Sequence, residues 1–375
     1  MIRIGILTTS RADFGIYLPL LNKIQSCTDL DFKLYVGGMH MSEKFGSTYK
    51  LIENQGIVID EKIVSLLDDD SPEGIANSIA NTTTLFAELW KKEAFEIDLL
   101  LILGDRYEMF AAAIAGIPFN IPLAHIHGGE VTLGAIDNKF RNSITAFSDL
   151  HFVATSNNAL RVSQIIGSEK SIFQVGSLGV EGLINSQLFS VEEFNEKFDF
   201  DISTPYVLFT YHSETLKIGS NKENIEQVIF ALDKIPEKIL CTMPNADTEG
   251  NIIRDRLLDF EKKFPDKIKC FENLGQIGYY TSMRFCKLMM GNSSSGIIEA
   301  ASFNTPVVNI GDRQKGREVS GNVIHVNNNS KEILSGYDKA VSLKGSTFEN
   351  VYGDGRTSNK IVKILYEIFN KTQIH

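Results

Sequence analysis

Several charged residues in the first half of the sequence follow short apolar segments, where they could bind an anion or move a proton. Arg11 stands at a predicted helix start, where free N–H groups also favour an anion, although Asp13 could simply cap the helix and pair with it. Asp105 comes shortly after the apolar segment that ends at Leu103, and could cap the next helix or face a ligand. Glu130 follows two glycines that let the backbone approach a ligand, so we interpret Glu130 as functional.

Two further features of the first half have simpler structural explanations. Asp137 and Arg141 are four residues apart on a predicted helix, so in isolation they indicate a surface ion pair worth about 0.3–0.5 kcal/mol. His125 and His127 lie on the same side of a predicted strand, which is compatible with metal binding. Because the sequence offers no obvious third ligand, no metal is predicted.

The second half carries residues that suit a phosphorylated ligand. His212 follows a predicted strand and could act as an acid, contact a phosphate or be a structural histidine. Small hydroxyl residues between Gly291 and Gly296 join a predicted strand to a helix, an arrangement that can hold a diphosphate. Glu299, one turn further, could bind ribose hydroxyls or be ordinary first-turn charge. Residues 311–318 place three cations after another strand, as a phosphate-binding or a solvated loop.

Strand-length apolar segments alternate with helical patterns along the whole chain, which predicts parallel strands joined by crossover helices. In such sheets, ligands bind beyond the C-terminal ends of the strands. The strands are predicted at residues 2–7, 32–36, 57–63, 98–103, 122–126, 150–154, 172–175, 206–210, 238–243, 268–271, 285–290 and 306–310. The helices are predicted, notably, at residues 13–25, 73–93, 137–148, 222–233, 250–263, 275–282 and 296–302.

The pattern restarts after about residue 180, so we expect an α/β fold of two Rossmann-like domains with parallel sheets facing a central cleft. The predicted boundaries are 1–182 for the first domain and 183–375 for the second. Residues 183–204 are a polar, mixed stretch and the best linker candidate. The final helix, at about 357–372, could pack back on the N-terminal domain.

Composition excludes several other classes of protein. The 375 residues include 47 acidic and 37 basic side chains, a net charge of −10, which argues against nucleic-acid binding through bulk positive charge. The four cysteines form no CxxC pair, so a closely spaced zinc ribbon is excluded. No GKS or GKT follows the serine-rich loop, and no GxGxxG opens the first helix. Without a signal-like or bilayer-length apolar segment, we expect a cytoplasmic protein with no membrane partner.

Seven segments occur in one order across most of the chain: SRADFG, GDRYE, HIHGGE, AIDNKFRNSIT, MPNAD, GNSSSGIIEA and NIGDRQKGRE. Together they resemble the hydrolysing UDP-N-acetylglucosamine 2-epimerases of sialic acid biosynthesis, from about residue 3 to residue 321. GMHMSEKFG at 38–46 resembles that branch more than the non-hydrolysing one. The resemblance implies a GT-B-like fold, a UDP-sugar substrate, a UDP product, no metal or redox cofactor, and a homodimer or homotetramer.

The chemistry that the resemblance implies is anti elimination of UDP to a 2-acetamidoglucal, followed by water addition that gives N-acetylmannosamine. The catalytic residues would then be Asp105, Glu130, Asp137 and His212, with Glu130 and Asp137 acting near C1 and C2. The implied substrate-binding residues are Arg11, Arg106, Arg141, Asn245, Asp247, Ser294, Ser295, Glu299 and Arg313. Among these, Arg11, Ser294, Ser295 and Arg313 would contact phosphate, Glu299 the ribose, and Asn245 and Asp247 the nucleotide-sugar.

Alternative functions remain open at this point. Ser213 stands where the family often has a proline after the histidine, which affects the orientation of His212 and the choice of sugar. A relative acts on UDP-2,4-diacetamido-2,4,6-trideoxyglucose for legionaminic acid synthesis, by the same chemistry. A non-hydrolysing epimerase, a GT-B glycosyltransferase and an inactive nucleotide-sugar sensor are the other hypotheses. Three carboxylates in the first half argue against the transferase and the sensor.

Overall fold

The computed structural model describes residues 1–43, 46–67, 71–131, 136–214, 219–244 and 250–372. The chain divides into two units. The first unit comprises Met1–Gly182 and Gly353–His375, and the second comprises Leu183–Tyr352. In the described residues, each unit is built on one parallel sheet whose strands alternate with helices along the chain.

The first unit contains strands β1 (Ile2–Thr8), β2 (Leu30–Val36), β3 (Glu61–Lys62), β4 (Leu99–Leu103), β5 (Leu123–Ile126), β6 (Leu150–Val153) and β7 (Ile172–Gln174). Among the described residues, they form one sheet in the order β3-β2-β1-β4-β5-β6-β7. The direction of winding reverses between β1 and β4, which is where open α/β sheets bind ligands. The helices are α1 (Arg11–Gln25), α2 (Tyr49–Asn54), α3 (Pro72–Glu93), α4 (Tyr107–Gly116), α5 (Asp137–Phe147), α6 (Ser156–Ile166) and α7 (Leu178–Ile184).

The second unit has strands β8 (Tyr206–Thr210), β9 (Lys238–Thr242), β10 (Ile268–Phe271), β11 (Leu288–Gly291), β12 (Val307–Ile310) and β13 (Val323–Val326). Their order, within the same described ranges, is β10-β9-β8-β11-β12-β13, so the reversal lies between β8 and β11. Its helices are α8 (Val191–Phe198), α9 (Asn221–Lys234), α10 (Gly250–Lys263), α11 (Gly275–Phe285), α12 (Ser294–Ile298) and α13 (Ser330–Ser342). None of the helices in the described residues, including the C-terminal α14 (Thr357–Thr372), is long and apolar enough to cross a membrane.

Strand β4 shows why the apolar segments become central strands. All five of its residues are buried, and successive side chains enter different cores. Leu99, Leu101 and Leu103 pack into one core, whereas Leu100 and Ile102 pack into the other. Because successive strand residues face opposite sides of a sheet, a strand covered by helices on both faces must be apolar throughout.

The final helix belongs to the first unit. α14 packs against α1, and its Ile361 and Leu365 are buried in the core that α1 shares with the sheet. The Glu181 carboxylate of α7 accepts hydrogen bonds from the Ser358 backbone N–H at 2.6 Å and from the Ser358 hydroxyl at 2.5 Å. Burial and helix-end hydrogen bonds therefore fix a segment that lies far from the rest of its unit in sequence.

Several predicted elements differ in the structure. The predicted linker at 183–204 is folded, because Phe194 of α8 and Phe200 are buried in a core of the second unit. The strand predicted at 285–290 begins later, since α11 continues to Phe285. The strand predicted at 57–63 has only the two residues of β3. Strand β13 and helix α13 were not predicted, and β13 lies at a sheet edge with partly exposed residues.

Candidate active site

The end of β4 carries an acidic residue that does not cap the following helix. Arg106 is the N-cap residue of α4 and makes no side-chain cap bond, so the capping explanation for Asp105 is wrong. The Asp105 carboxylate instead pairs with the buried Arg141 guanidinium of α5. The expected ion pair between Arg141 and Asp137 is also wrong, because the guanidinium turns to Asp105 across 36 positions of sequence. This pair ties β4 to α5.

Two other carboxylates influence Asp105. Burial raises the pKa of Asp105, and the Arg141 cation opposes this change. The negative charges of Asp137 and Glu130 raise the pKa of Asp105 further, so both carboxylates lie within electrostatic reach. Carboxylates that influence one another's protonation can divide acid and base roles at a single site.

His125 is a structural histidine in this arrangement. Its Nε2 donates to the Gly104 carbonyl at 2.7 Å, and its Nδ1 accepts from the Thr145 hydroxyl at 3.1 Å. Burial lowers its pKa to about 3, so the ring is neutral. His125 thereby fixes the backbone beside Asp105 and also holds α5 through Thr145. Among the described residues, no three His, Cys, Asp or Glu side chains could together hold a metal ion.

His127 is a residue that the sequence analysis did not assign to the site. Its Nδ1 lies 2.6 Å from Glu130 Oε1, and its backbone adopts a left-handed φ of 65°. Gly129 is required here, since a Cβ would lie 2.3 Å from the Asn158 carbonyl oxygen and its φ is +75°. The tight turn after β5 therefore folds His127 onto Glu130 and orients the carboxylate. The HxHGGE spacing was the sequence signal.

The start of α1 differs from the simpler of the two predictions for it. Ser10, not Asp13, is the N-cap residue, and its hydroxyl accepts from the Asp13 backbone N–H at 3.3 Å. The Asp13 carboxylate accepts from the Thr9 hydroxyl at 2.7 Å. Arg11 is the exposed first residue of the helix, at the side of the sheet where winding reverses. An exposed cation at a helix N-terminus suits a phosphate ligand.

Arg106 is held by a buried carboxylate. Its Nη2 donates to Glu108 Oε1 at 2.9 Å, and Glu108 is 1% exposed. Against the effect of burial, Glu108 and then Asp13 raise the pKa of Arg106. Burial lowers the pKa of His40 and Arg106 lowers it further, so residues that follow β1, β2 and β4 share one electrostatic environment. A Cβ on Gly38 would lie 2.9 Å from Glu108 Oε1, so only glycine fits beside this pair. GDRYE and GMHM thus meet in one place.

In the second unit, polar residues follow β8 and β11 at the reversal of winding. His212 is the second residue after β8 and is 6% exposed. Asn292, which follows β11, accepts a hydrogen bond from the His212 backbone N–H at 2.7 Å. Asn292 lies in the GNSSSG segment, but no role was predicted for it. Its signal was an amide side chain directly after an apolar strand.

The serine-rich loop forms the short helix α12. Ser293 is its N-cap residue, and Ser294 is its first residue. Ser295 is buried, and its hydroxyl lies 2.6 Å from the Tyr279 hydroxyl and 2.8 Å from the Ser293 hydroxyl. The hydroxyl of Ser295 is therefore held by neighbours, while Ser294 is the less buried serine of the two proposed for phosphate contact.

Glu299 lies at the C-terminal end of α12, so the first-turn explanation for its charge is wrong. Burial raises its pKa to about 7, and a hydrogen bond with Tyr280 opposes that change. A carboxyl group with a pKa near neutrality can change its protonation when hydroxyl donors bind to it.

In the loop after β12, Arg313 contacts the segment that follows β11. Arg313 Nη1 donates to the Asn292 carbonyl at 3.4 Å, and the Gln314 amide donates to the same oxygen at 2.9 Å. Lys315 is largely exposed, with Asp312 Oδ1 at 3.9 Å, as expected of a solvated loop. The remaining two predicted site residues, Asn245 and Asp247, lie outside the described residues.

Two parallel α/β sheets, each with charged residues beyond the strand ends where the winding reverses, define a two-unit Rossmann-like protein of the GT-B-like class. The chain belongs to the UDP-N-acetylglucosamine 2-epimerase family, whose family model matches residues 22–366. The resemblance read from the seven segments is therefore confirmed, and so is the predicted fold class.

Curated relatives and solved structures agree with this family. The chain is 36% identical to a hydrolysing UDP-N,N′-diacetylbacillosamine 2-epimerase of Legionella pneumophila, over 98% of this chain and 96% of that protein. It is 30% identical to a UDP-N-acetylglucosamine 2-epimerase of Neisseria meningitidis serogroup B, over 96% and 93% of the two chains. The fold matches the Neisseria meningitidis UDP-GlcNAc 2-epimerase bound to UDP-GlcNAc with a TM-score of 0.79, at 17% identity over 98% of this chain and 100% of that one.

Proposed function

We propose that this protein is a hydrolysing 2-epimerase of a UDP-2-acetamido sugar. It would release UDP and a free 2-acetamido sugar whose configuration at C2 is inverted. The observation that carries the proposal is the Asp105–Arg141 pair, which ties the end of β4 to the helix that begins at Asp137. Glu130 follows the neighbouring strand β5, and the chain belongs to this family. Binding an anionic nucleotide sugar alone needs no group of carboxylates, whereas proton transfer at carbon does.

The proposed reaction has two steps, elimination of UDP and addition of water. First, a base removes the proton on C2 while the C1–O bond breaks, and its electrons leave with UDP to give a 2-acetamidoglucal. Water then adds across the double bond, with its hydroxyl on C1 and its proton on C2. We assign the carboxylates of Glu130 and Asp137 to C1 and C2, with His127 orienting Glu130 through the 2.6 Å contact.

The departing diphosphate needs positive charge and hydrogen-bond donors. We assign this role to Arg11, Arg106 and Arg313 together with Ser294 at the start of α12 and the donors around His212. Such preorganised donors stabilise charge that develops as the bond breaks, and one donor typically contributes about 10²–10³ in rate. Glu299 would accept hydrogen bonds from the ribose hydroxyls.

For the sugar, we propose UDP-N,N′-diacetylbacillosamine, the 2,4-diacetamido-2,4,6-trideoxy sugar, as the preferred substrate. A relative from Legionella pneumophila at 36% identity carries that substrate in its name, and one from Campylobacter jejuni at 36% identity is named for the GDP- or UDP-linked form of the same sugar. UDP-N-acetylglucosamine is the second candidate, because the relative at 30% identity is named for it. The two sugars differ at C4 and C6, where a pocket distinguishes an amide from a hydroxyl. The free manno sugar would then be a precursor of nonulosonic acids.

Proton NMR in heavy water tests the reaction and the sugar together. Each UDP-sugar is supplied separately, and we expect UDP plus a free manno sugar that carries deuterium at C2. A UDP-linked manno product would instead identify a non-hydrolysing epimerase. Tight UDP binding without turnover of either sugar would leave the transferase or the sensor.

Single carboxylate variants test the assignment of residues. We expect Asp105→Asn, Glu130→Gln and Asp137→Asn each to lower kcat by about 10²–10³. Asp98→Asn is the matched control. Asp98 precedes the N-terminal end of β4, whereas Asp105 follows the C-terminal end, and the Asp98 carboxylate accepts from the Arg3 N–H at 2.8 Å. Equal losses in Asp98→Asn and Asp105→Asn would contradict the assignment.

A further inference from the structure

Asn292 joins three segments of the second unit that the proposed reaction uses. It is fully buried, at 0% exposure, and directly follows β11 at the reversal of winding. Its side chain accepts from the His212 N–H at 2.7 Å and donates to the His212 carbonyl at 2.8 Å. Its own carbonyl accepts from Arg313 and Gln314. One residue therefore contacts the segments that follow β8 and β12.

The two side-chain bonds fix the backbone of His212 in both directions. An amide offers one acceptor and one donor group, and His212 presents one N–H and one C=O at matching distances. The backbone N–H of Asn292 also donates to the Thr210 carbonyl at 3.0 Å. A hydroxyl donates and accepts through a single oxygen, and a carboxylate cannot donate. Neither side chain therefore has a separate donor and acceptor at this reach.

We propose that Asn292 is a positioning residue that sets the orientation of both His212 and Arg313. Ser213 follows His212 here, where the resemblance led us to expect a proline. A proline would restrict the backbone of the residue before it, and serine does not. The amide clamp supplies the restriction instead. Through its carbonyl, the same residue directs the Arg313 guanidinium. Its role in turnover rests on the proposed reaction, and its role in UDP binding rests on the proposed contact of Arg313 with the diphosphate.

The main test compares kcat, KM and the UDP dissociation constant for Asn292→Ala with those of the wild type. We expect kcat/KM to fall about 10- to 100-fold, as displacement of reacting groups by about 1 Å does. Asn292→Ala removes the side chain that holds His212 but keeps the backbone carbonyl that Arg313 contacts. In a His212→Ala background it should therefore cost less than about 3-fold. A full, additive loss in that background would overturn the proposal.

Asn322→Ala is the matched control. Asn322 is also a fully buried asparagine of the second unit, and its amide donates to the Thr305 carbonyl at 2.8 Å, near the start of β13. This control should lower Tm but leave kcat/KM and the UDP dissociation constant within about 3-fold of the wild type. If both variants lose Tm and activity in parallel, Asn292 is only structural.

A second variant covers the case in which Asn292→Ala does not fold. Gln314→Met keeps the shape of the side chain but removes its donor to the Asn292 carbonyl. We expect UDP binding to weaken about 3- to 10-fold, because the Asn292 carbonyl that orients Arg313 then loses its second donor. Unchanged UDP affinity would contradict positioning through this carbonyl. Absence of wild-type turnover would refute the proposed function while the UDP titrations still decide the role of Asn292.

Discussion

At the scale of single residues, the site of the first unit depends on which carboxylate obtains Arg141. Spacing along α5 offers Asp137 as a helix-face partner, in a pair worth only a few tenths of a kcal/mol. Asp105 instead pairs with the Arg141 guanidinium, and Arg141 is only 6% exposed. Leaving that buried cation unpaired would cost far more than the helix-face pair with Asp137 contributes. Asp137 is thereby left at the site as a second carboxylate that acts on Asp105.

Arg141→Met tests this ion pair. Methionine retains most of the side-chain volume but removes the cation that lowers the pKa of Asp105. We expect that pKa to rise further, so the acid limb of the pH–rate profile moves to higher pH, and kcat falls about 10²-fold. The free energy of unfolding should fall by about 3 kcal/mol, since a buried pair is broken.

The control for Arg141 is Arg256→Met, which removes a surface ion pair with Glu226. In this control, we expect the free energy of unfolding to fall by less than about 1 kcal/mol and the pH–rate profile to stay unchanged. If the acid limb in Arg141→Met stays in place, Arg141 does not set the protonation of Asp105.

Glu299 gives a prediction for the pH dependence of UDP binding. Burial raises its pKa to about 7, and donation from two ribose hydroxyls would favour the ionised form. Binding then releases a proton, so affinity should rise with pH, by up to about 10-fold per unit below pH 7, and become constant above it. Calorimetric titration with Glu299→Gln removes this component but retains the titration of the diphosphate itself. Parallel pH profiles for the two proteins would contradict a ribose contact.

At the scale of elements, the ends of β8 and β11 approach so closely that one position must be glycine. A Cβ on Gly291 would lie 1.9 Å from the Thr210 carbonyl oxygen, and its φ is +130°. This close approach allows Asn292 to reach His212. The glycine of GNSSSG therefore has a packing reason in addition to any contact with a ligand.

Gly291→Ala should destabilise the second unit by more than about 4 kcal/mol. Alanine disfavours the left-handed φ of this position, and its Cβ would overlap the Thr210 carbonyl oxygen. Gly345→Ala is its control, since that glycine has φ +90° but open space around it. We expect the control to cost about 1–2 kcal/mol from backbone strain alone. Urea unfolding measures both. If Gly291→Ala and Gly345→Ala lower the free energy of unfolding equally, the overlap with Thr210 contributes nothing to the loss of stability.

Elements buried on both faces were the ones that the sequence predicted well. β4 and β8 are continuous apolar segments, so their existence follows from burial alone. β13 was missed because an edge strand with partly exposed residues carries a weaker pattern. α8 was missed because its polar face resembles a linker, although its Ser190–Glu193 capping box is a signal for a helix start. Only tertiary packing shows Phe194 in a core.

At the scale of the whole molecule, each unit has its own cores, and the described residues of the first unit include three fully buried histidines. Burial lowers the pKa of His40 and His151 to about 4 and that of His125 to about 3. Their ordinary value is about 6.5, so the unfolded chain binds protons that the folded unit does not. Stability from these residues is therefore complete above pH 6.5 and is lost as pH falls toward 4.

This linkage predicts a pH-dependent free energy of unfolding for the first unit. Trp90 is the single tryptophan of the chain and is buried in a core of that unit, so its fluorescence reports on it. Between pH 6 and 5, the free energy of unfolding should fall by up to about 1.4 kcal/mol per pH unit for each histidine.

His151→Asn should reduce the slope of this pH dependence, whereas His325→Asn, in the second unit, should leave it unchanged. A free energy of unfolding that stays constant between pH 6.5 and 5 would show that these rings are protonated in the folded unit. Urea unfolding followed by Trp90 fluorescence at several pH values measures each case.

The sequence by itself determined the fold class, the family, and which polar residues follow the strands, because these depend on apolar patterning and local order along the chain. Only the tertiary structure decided partners: Arg141 with Asp105, His127 with Glu130, and Asn292 with His212. Two of these pairs span 36 and 80 positions of sequence. Such contacts depend on the order of strands in each sheet and on the cost of leaving a buried polar group unpaired, and neither is encoded in local spacing.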